Sequence, residues 1–518
     1  MRRLTDTHPA LPAALVALIA AAAWGVTYVN YDTFYALEWG REIAAGSQPV
    51  YDVTLAPTPH PLLTVAGLAV RPLGDAGPGA ISVLVALSWV ALIAATYVLG
   101  TRLFGPWGGA IAAVALATRE PLVSWALRGF VDIPFLALVV SAAAIEAGRA
   151  RAGRPVLALL VVAGLLRPEA WALAGLYALW SWPEIARRER IVVAGFVAAG
   201  PLLWALFDLL AAGDPLHSFT GTRDNVETLE RPTGLDDVPF RFARLLGFLT
   251  QEPGVVGAAG LLAGLALTVR YRDKVGAVLA HPGLVRAAAP AGRAGAAPRL
   301  GRLRPLVLAP AVGTTLRAAA LPVAMIAAGL AVFAAYGLVG LPLISRYLTV
   351  PAAGLLVLCG ATLVGWGRLP AGRAREAWRL AAAAGGLLLL LTTPFQAQRL
   401  VDLHGRSVDR DKIQNDLVAL AQQPGASRAI ARCPRVYVPN HRPVPILAWA
   451  LERSPREILS AAVEPPGDGA FVAPRDERVK RLFTLDRRDP TPLDATPPEG
   501  YREVAGNRSW VLLTRGCG

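Results

Sequence analysis

Apolar residues in this chain come in long blocks, not in alternation. Stretches 11–29, 81–100, 131–147, 191–211, 253–269, 318–340, 349–366 and 380–395 run near the ~20 residues a helix needs to cross a bilayer. Shorter blocks lie at 107–118, 155–166 and 169–181. The pattern predicts a polytopic α-helical membrane domain over 1–395 with eleven spans. Segment 61–72 is too short for an ordinary span. It ends in Arg71-Pro72 and leads into Gly/Pro-rich 74–79, so it is expected as a re-entrant or interfacial helix. Arg167-Pro168-Glu169 interrupts 155–181. An ion pair at mid-bilayer is expensive unless it faces a cavity, so this segment reads as two short spans with Arg-Pro-Glu at their tip.

Past residue 395 the pattern changes. Segment 396–518 is charged and Pro-rich, with short β-like runs at Arg435–Val438, Ala470–Val472 and Trp510–Leu513 and a short helix at Pro445–Leu451. At roughly 120 residues it is long enough for a small α/β domain.

Composition supports the membrane reading: 54% of residues are hydrophobic and only 17% charged, less charge than a soluble chain carries. The first block follows Arg2 and Arg3, but Trp24-Gly25-Val26-Thr27-Tyr28 is a poor cleavage site, so it is expected as a retained signal anchor. The net charge of +14 raises nucleic acid as a partner. However, the arginines concentrate in particular loops: Arg149/Arg151/Arg154, Arg187/Arg188/Arg190, the Ala/Pro/Gly-rich 270–317, and Arg368/Arg373/Arg375/Arg379. By the positive-inside rule these loops are cytoplasmic, and the basicity is an orientation signal. The N-terminus is then inside and the C-terminal domain extracytoplasmic, in the cell membrane. There, Cys433 and Cys517 either form a bridge, which an oxidising compartment permits, or remain free thiols. No Walker or dinucleotide-binding motif appears, and the halves show no transporter-like repeat.

On this topology the unusual polar residues collect on the outer face: Asp32, His60, Arg119, Glu120, Arg128, Asp132, Arg167, Glu169, His217, Arg223, Asp224 and Arg346. Ionisable groups at membrane depth are functional candidates. Asp32 opens a polar loop just after the first span. It is the best candidate for a general base, since a carboxylate half-shielded by apolar walls can have a raised pKa. Asp132 begins a span, where capping a helix would be a sufficient structural role. His60, between two prolines, and His217 can each hydrogen-bond a phosphate, ligate a metal or serve structure alone. Arg167 and Glu169 either satisfy each other or present Arg167 to an anion. Arg346, in Ser345-Arg346-Tyr347-Leu348, lies where a guanidinium would meet a lipid phosphate, which suits its fork. Asp32 and Asp132 are the candidate ligands for a divalent cation such as Mg or Mn, without a DxD or His-x-His spacing to support one.

An acid just after the first span, a loop closing on Pro59-His60-Pro61-Leu62, a second acid opening a later span and a late Arg346-Tyr347-Leu348-x-x-Pro351 resemble the GT-C glycosyltransferases. These include protein O-mannosyltransferases, aminoarabinose transferases and arabinofuranosyltransferases. The resemblance covers roughly 1–395. It implies transfer of a sugar from a polyprenyl-phosphate carrier to an envelope glycan, lipid or protein acceptor at the outer face, with inversion. Asp32 would act on the acceptor hydroxyl, Asp132 would be the second acid, and Arg346 would hold the donor phosphate with help from Arg167 or His217. The family's Pro-Pro-Leu turn is His60-Pro61-Leu62 here, and Asp32 stands alone where some members carry two adjacent acids. The rival reading is a lipid or sugar transporter or flippase, and a third is a membrane scaffold that presents the C-terminal domain.

Overall fold

The computed structural model describes residues 10–25, 27–270, 304–369, 371–484 and 496–517. Much of the basic loop 270–317, and the first nine residues, lie outside them. Eleven helices fall on the eleven expected spans: α1 (Ala10–Trp24), α4 (Gly77–Phe104), α5 (Pro106–Ala117), α7 (Asp132–Gly148), α8 (Arg154–Gly164), α9 (Glu169–Ser181), α10 (Arg187–Ala212), α12 (Val238–Arg270), α13 (Arg304–Leu338), α14 (Thr349–Val364) and α15 (Arg373–Gln422). Among the described residues, 6 helical segments are long and apolar enough to cross a bilayer alone, or 7 if α5 and the helix α6 (Glu120–Leu127), bent by 64°, count as one. The remaining expected spans fall on shorter helices: α1, α7, α8 and α9 have 15, 17, 11 and 13 residues. The protein is a multi-pass, mainly helical membrane protein with a small C-terminal sheet.

Three stretches expected as polar loops fold as helices instead. Residues after Asn30 form α2 (Tyr31–Ala44), the segment after Arg119 forms α6, and 212–252 holds α11 (His217–Thr228) and the first half of α12. In α2 the reason is visible: Phe34, Tyr35, Leu37 and Trp39 are all buried, so its scattered acids obscure an apolar face. α12 breaks at Gln251, whose φ of 51° lies in the left-handed region. Segment 61–72 becomes α3 (Pro61–Val70) and a 3-10 turn leading into α4. The Arg-Pro-Glu interruption separates α8 from α9, and Trp171 of α9 donates its indole N–H to Gly164 O at 3.0 Å.

The C-terminal unit carries a sheet of order β2-β1-β3-β5-β4, formed by β1 (Val436–Val438), β2 (Ile458–Ser460), β3 (Gly469–Pro474), β4 (Arg502–Gly506) and β5 (Trp510–Arg515). β1 pairs in parallel with β2 and β3, whereas β5 runs antiparallel to β3 and β4. The helix α17 (Val444–Leu451) connects β1 to β2, and α16 (Pro424–Arg432) precedes β1. Cys433 and Cys517 are disulfide-bonded, with Cα atoms 4.9 Å apart. The expected boundary at 395/396 falls inside α15, a helix of 50 residues shared by the apolar bundle and the C-terminal unit.

Two contacts set the platform for Asp32. α2 and α3 touch backbone to backbone: a Cβ on Gly67 would lie 2.3 Å from Ala36 O, and one on Gly40 2.3 Å from Leu68 N. The start of α2 is tied to the turn between α6 and α7. The backbone N–H of Asn30 donates to Arg128 O at 2.9 Å, its side-chain amide donates to the same oxygen at 2.8 Å, and Thr33 Oγ1 donates to Gly129 O at 2.8 Å.

Candidate active site

Asn30 caps α2, its Oδ1 accepting from the Thr33 N–H at 3.2 Å, and this places Asp32 in the first turn. Arg346, in a 3-10 turn before α14, donates to Asp32 Oδ2 at 2.6 Å. The same guanidinium nitrogen lies 3.9 Å from Asp132 Oδ2. Asp132, at the start of α7, is fully buried and pairs through Oδ1 with Arg167. Arg167, in the α8–α9 break, also donates from Nε and Nη2 to Glu169 Oε1 at 3.0 and 2.8 Å. Glu169, at the start of α9, therefore serves as a partner of Arg167. Tyr347 stacks on Arg167 at 5.0 Å and Phe130 on Arg346 at 5.4 Å.

The result is a chain, Asp32–Arg346–Asp132–Arg167–Glu169, assembled from segments up to 314 residues apart. Its two ends differ. Asp132, Arg167 and Glu169 are nearly inaccessible, whereas the side chains of Asp32 and Arg346 keep 18% and 28% of their exposure, so a substrate can reach only the Asp32–Arg346 end. Two carboxylate oxygens in the chain, Asp132 Oδ2 and Glu169 Oε2, are buried without a hydrogen-bond partner. A full-strength acceptor is thus left beside Arg346.

The electrostatics reverse one expectation. Burial by itself would push the Asp32 carboxyl up, but Arg346 outweighs it and holds Asp32 below the usual carboxylate range. In this resting arrangement Asp32 is a weak base. His60 precedes α3, with its ring edge-on to Trp204 at 5.9 Å. Burial, then the charge of Arg167, pushes it down to about 3, so it is a neutral imidazole at physiological pH. Its Nδ1 is buried without a partner. His217 starts α11 and packs on Tyr51 at 5.6 Å, and no described contact joins it to the chain of ion pairs.

A divalent cation fits this site poorly. Among the described residues no group of three or more His, Cys, Asp or Glu is placed to hold a metal ion. The two expected ligands are instead neutralised by guanidinium groups that would have to leave first.

Sequence reasoning gave no role to Asn30 or Thr33, and it quoted Tyr347 only as part of a motif. Asn30 had a local signal, an Asn three residues before a Thr-Phe-Tyr run, whereas the Arg167–Tyr347 stacking had none.

No protein-family model matches the sequence, and no curated protein matches it. Among solved structures, ArnT from Cupriavidus metallidurans bound to undecaprenyl phosphate is similar, with a TM-score of 0.51, 14% identity, and coverage of 97% of each chain. The apo form of that protein gives 0.51 at 13% identity, over 99% of this chain and 98% of that one. The Archaeoglobus fulgidus oligosaccharyltransferase gives 0.42 at 13% identity, over 87% of this chain and 64% of that one. Over nearly its whole length, therefore, this chain has the fold of ArnT.

Proposed function

We propose that this protein transfers a sugar from a polyprenyl-phosphate carrier to a hydroxyl of an envelope glycan, lipid or protein acceptor at the outer face of the cell membrane. The observation that carries the reading is the accessible Asp32–Arg346 pair, a base and a phosphate-binding fork side by side in this fold. The similar ArnT structure, which holds undecaprenyl phosphate, supports a polyprenyl donor.

The pair supplies a sequence of events. The incoming donor phosphate competes with Asp32 for Arg346, since both offer oxygens to the same fork. As Arg346 turns to the phosphate, Asp32 loses the charge that suppressed its basicity, while its burial remains. Its carboxylate then accepts the proton of the acceptor hydroxyl. The hydroxyl oxygen bonds to the anomeric carbon from the side opposite the leaving group, and the carbon–oxygen bond to the phosphate breaks. The electron pair stays on the polyprenyl phosphate beside Arg346, and Asp32 later releases its proton to solvent. A single displacement inverts the anomeric centre. Asp132, Arg167 and Glu169 hold Arg346 in place without reaching substrate.

The test is sugar transfer in membranes carrying wild type or Asp32→Asn, supplied with labelled polyprenyl-phosphate sugars. Loss of a general base predicts a fall of about 10²–10⁴-fold with unchanged expression. Equal product from both proteins would remove Asp32 from the chemistry. Movement of intact donor across the bilayer without transfer would make the protein a flippase.

A further inference from the structure

The turn after α14 carries a group of arginines that sugar transfer leaves unused. Ser345–Arg368 and Arg373–Gln422 are each long and apolar enough to cross a bilayer, so the turn between them emerges at one membrane face. Arg346 begins the first of these segments and Arg368 ends it. About 30 Å of helix separates the two, close to the thickness of a hydrocarbon core. The turn therefore stands at the face opposite the Asp32–Arg346 pair.

Its scaffold is Trp366. The indole N–H donates to Leu363 O at 3.1 Å, and the ring packs against the buried Leu369 and Trp378. Trp378, on α15, donates in turn to Thr362 O at 2.8 Å. Two guanidinium groups lie over the Trp366 ring, Arg375 at 5.6 Å and Arg379 at 6.0 Å. Arg368 is held over Phe104 at 5.7 Å and spends one N–H on Leu103 O at 2.7 Å. Residues 365–380 contain four arginines and one acid, Glu376. That acid reaches Arg379 only at 4.0 Å, with the two side chains 64% and 65% exposed, a geometry that neutralises little. Among the described residues, no carboxylate lies within ion-pairing distance of Arg368, Arg373 or Arg375. Another basic loop behaves differently: Arg151 and Arg154 are paired with Glu184 and Glu189.

Like charges at i and i+4 on a helix repel, yet Arg375 and Arg379 are gathered on one ring. The ring attracts the cations and leaves their N–H groups free for oxygens, which a guanidinium fork matches. The surface beside the turn is apolar. Trp107 is 77% exposed and Leu380 71%, and Gly108, next to Trp107, packs on Val364 at the end of α14. Exposed tryptophans of this kind mark the level of lipid headgroups. A phosphate carried by a lipid meets arginines at its own depth and apolar side chains beneath. The excess of positive charge favours a headgroup of net negative charge over one whose ammonium cancels its phosphate.

We infer that the turn around Trp366 binds the headgroup of an anionic phospholipid, with Arg375 and Arg379 as the phosphate contacts and Arg368 adding charge beside them. The site needs no turnover and is independent of the sugar-transfer reading.

The experiment adds phosphatidylglycerol or phosphatidylcholine to the purified full-length protein in neutral detergent. Unfolding temperature and native mass spectrometry report stabilisation and retained lipid. Phosphatidylglycerol stabilises the wild type more and is retained more. The double variant Arg375→Gln/Arg379→Gln binds it about tenfold or more weakly. Arg368→Gln shifts binding in the same direction and serves where the double variant fails to fold. Arg187→Gln/Arg188→Gln removes the same charge from another basic loop and keeps wild-type binding. Equal effects of the two lipids on the wild type overturn the site. So does an equal loss in both double variants, which would make the preference a property of the whole basic face. Inorganic phosphate that stabilises as well as the lipid, at matched ionic strength, would make the ligand a soluble anion and overturn the lipid assignment.

Discussion

At the scale of single residues, Arg346 is the controlling group because it sets the basicity of Asp32. A carboxyl held below its usual range stays charged until pH falls through that depressed value. The Asp32–Arg346 attraction therefore contributes stability above the ordinary carboxylate pKa of about 3.9, and it is lost as the medium becomes more acidic than that. In Arg346→Gln burial, which moves the carboxyl up, is opposed only by the smaller effects of His60 and Arg128. The acid limb of any residual transfer then shifts to higher pH than in wild type, which a pH–rate profile of both proteins measures. An unchanged limb would mean that Asp32 is not the titrating group. The members of this site were legible in sequence one at a time. Asp32, Asp132, Arg167 and Arg346 are ionisable residues at the ends of apolar blocks, where charge needs a reason. Their pairing was not legible, because partners 35 and 314 positions apart meet only through the packing of the bundle. For the same reason, a raised pKa was the natural expectation for Asp32: the sequence displayed the apolar walls and not the guanidinium.

At the scale of elements, the backbone contact between α2 and α3 holds Asp32 and His60 in one frame. Gly67→Ala puts a methyl where Ala36 O now sits, so the helices must separate. Overpacking of this kind costs about 1–3 kcal/mol, read as a lowered unfolding temperature, and transfer should fall further than the loss of folded protein accounts for. Gly79→Ala is the control, since a Cβ there meets nothing within 4 Å. Long apolar helices were readable from the sequence because a bilayer imposes a minimum run. α2, α6 and α11 were read as loops because they lie outside such runs and mix charge with buried aromatics. Of the sheet, β1, β3 and β5 were visible as short β-branched or aromatic runs. β2 and β4 were not: at Ile458–Ser460 and Arg502–Gly506 the sequence carries no such signal.

At the scale of the whole molecule, the disulfide closes a loop of 84 residues within the C-terminal unit. By loop-closure entropy alone, Cys433→Ser should destabilise that unit by about 2–5 kcal/mol. Limited proteolysis with and without reductant would detect this, and equal digestion of both forms would limit the bridge to a minor role. The proposed orientation makes a separate prediction. Cys517 in intact cells, once reduced, reacts with a membrane-impermeant maleimide, and failure to label would place the C-terminal unit inside. The unit is further tied to the segment between α2 and α3 by Arg456, which holds Asp52 through two nitrogens at 3.0 and 2.6 Å. Both side chains are exposed, so Arg456→Ala should cost at most about 1 kcal/mol.

The length of α15, which carries Pro394 in its interior, gives the molecule a mechanical property. At 1.5 Å per residue a helix of this length extends about 75 Å, and Arg410 and Gln414 ride near its far end. Where the parts on either side of Pro394 move as one, rocking by about 5° about one end displaces the other by about 6 Å, comparable to the width of a phosphate group. The roof over Asp32 is thus geared to the tilt of a helix inside the bilayer. Membrane thickness, to which long apolar helices adjust by tilting, would then bear on where the C-terminal unit stands over the Asp32–Arg346 pair.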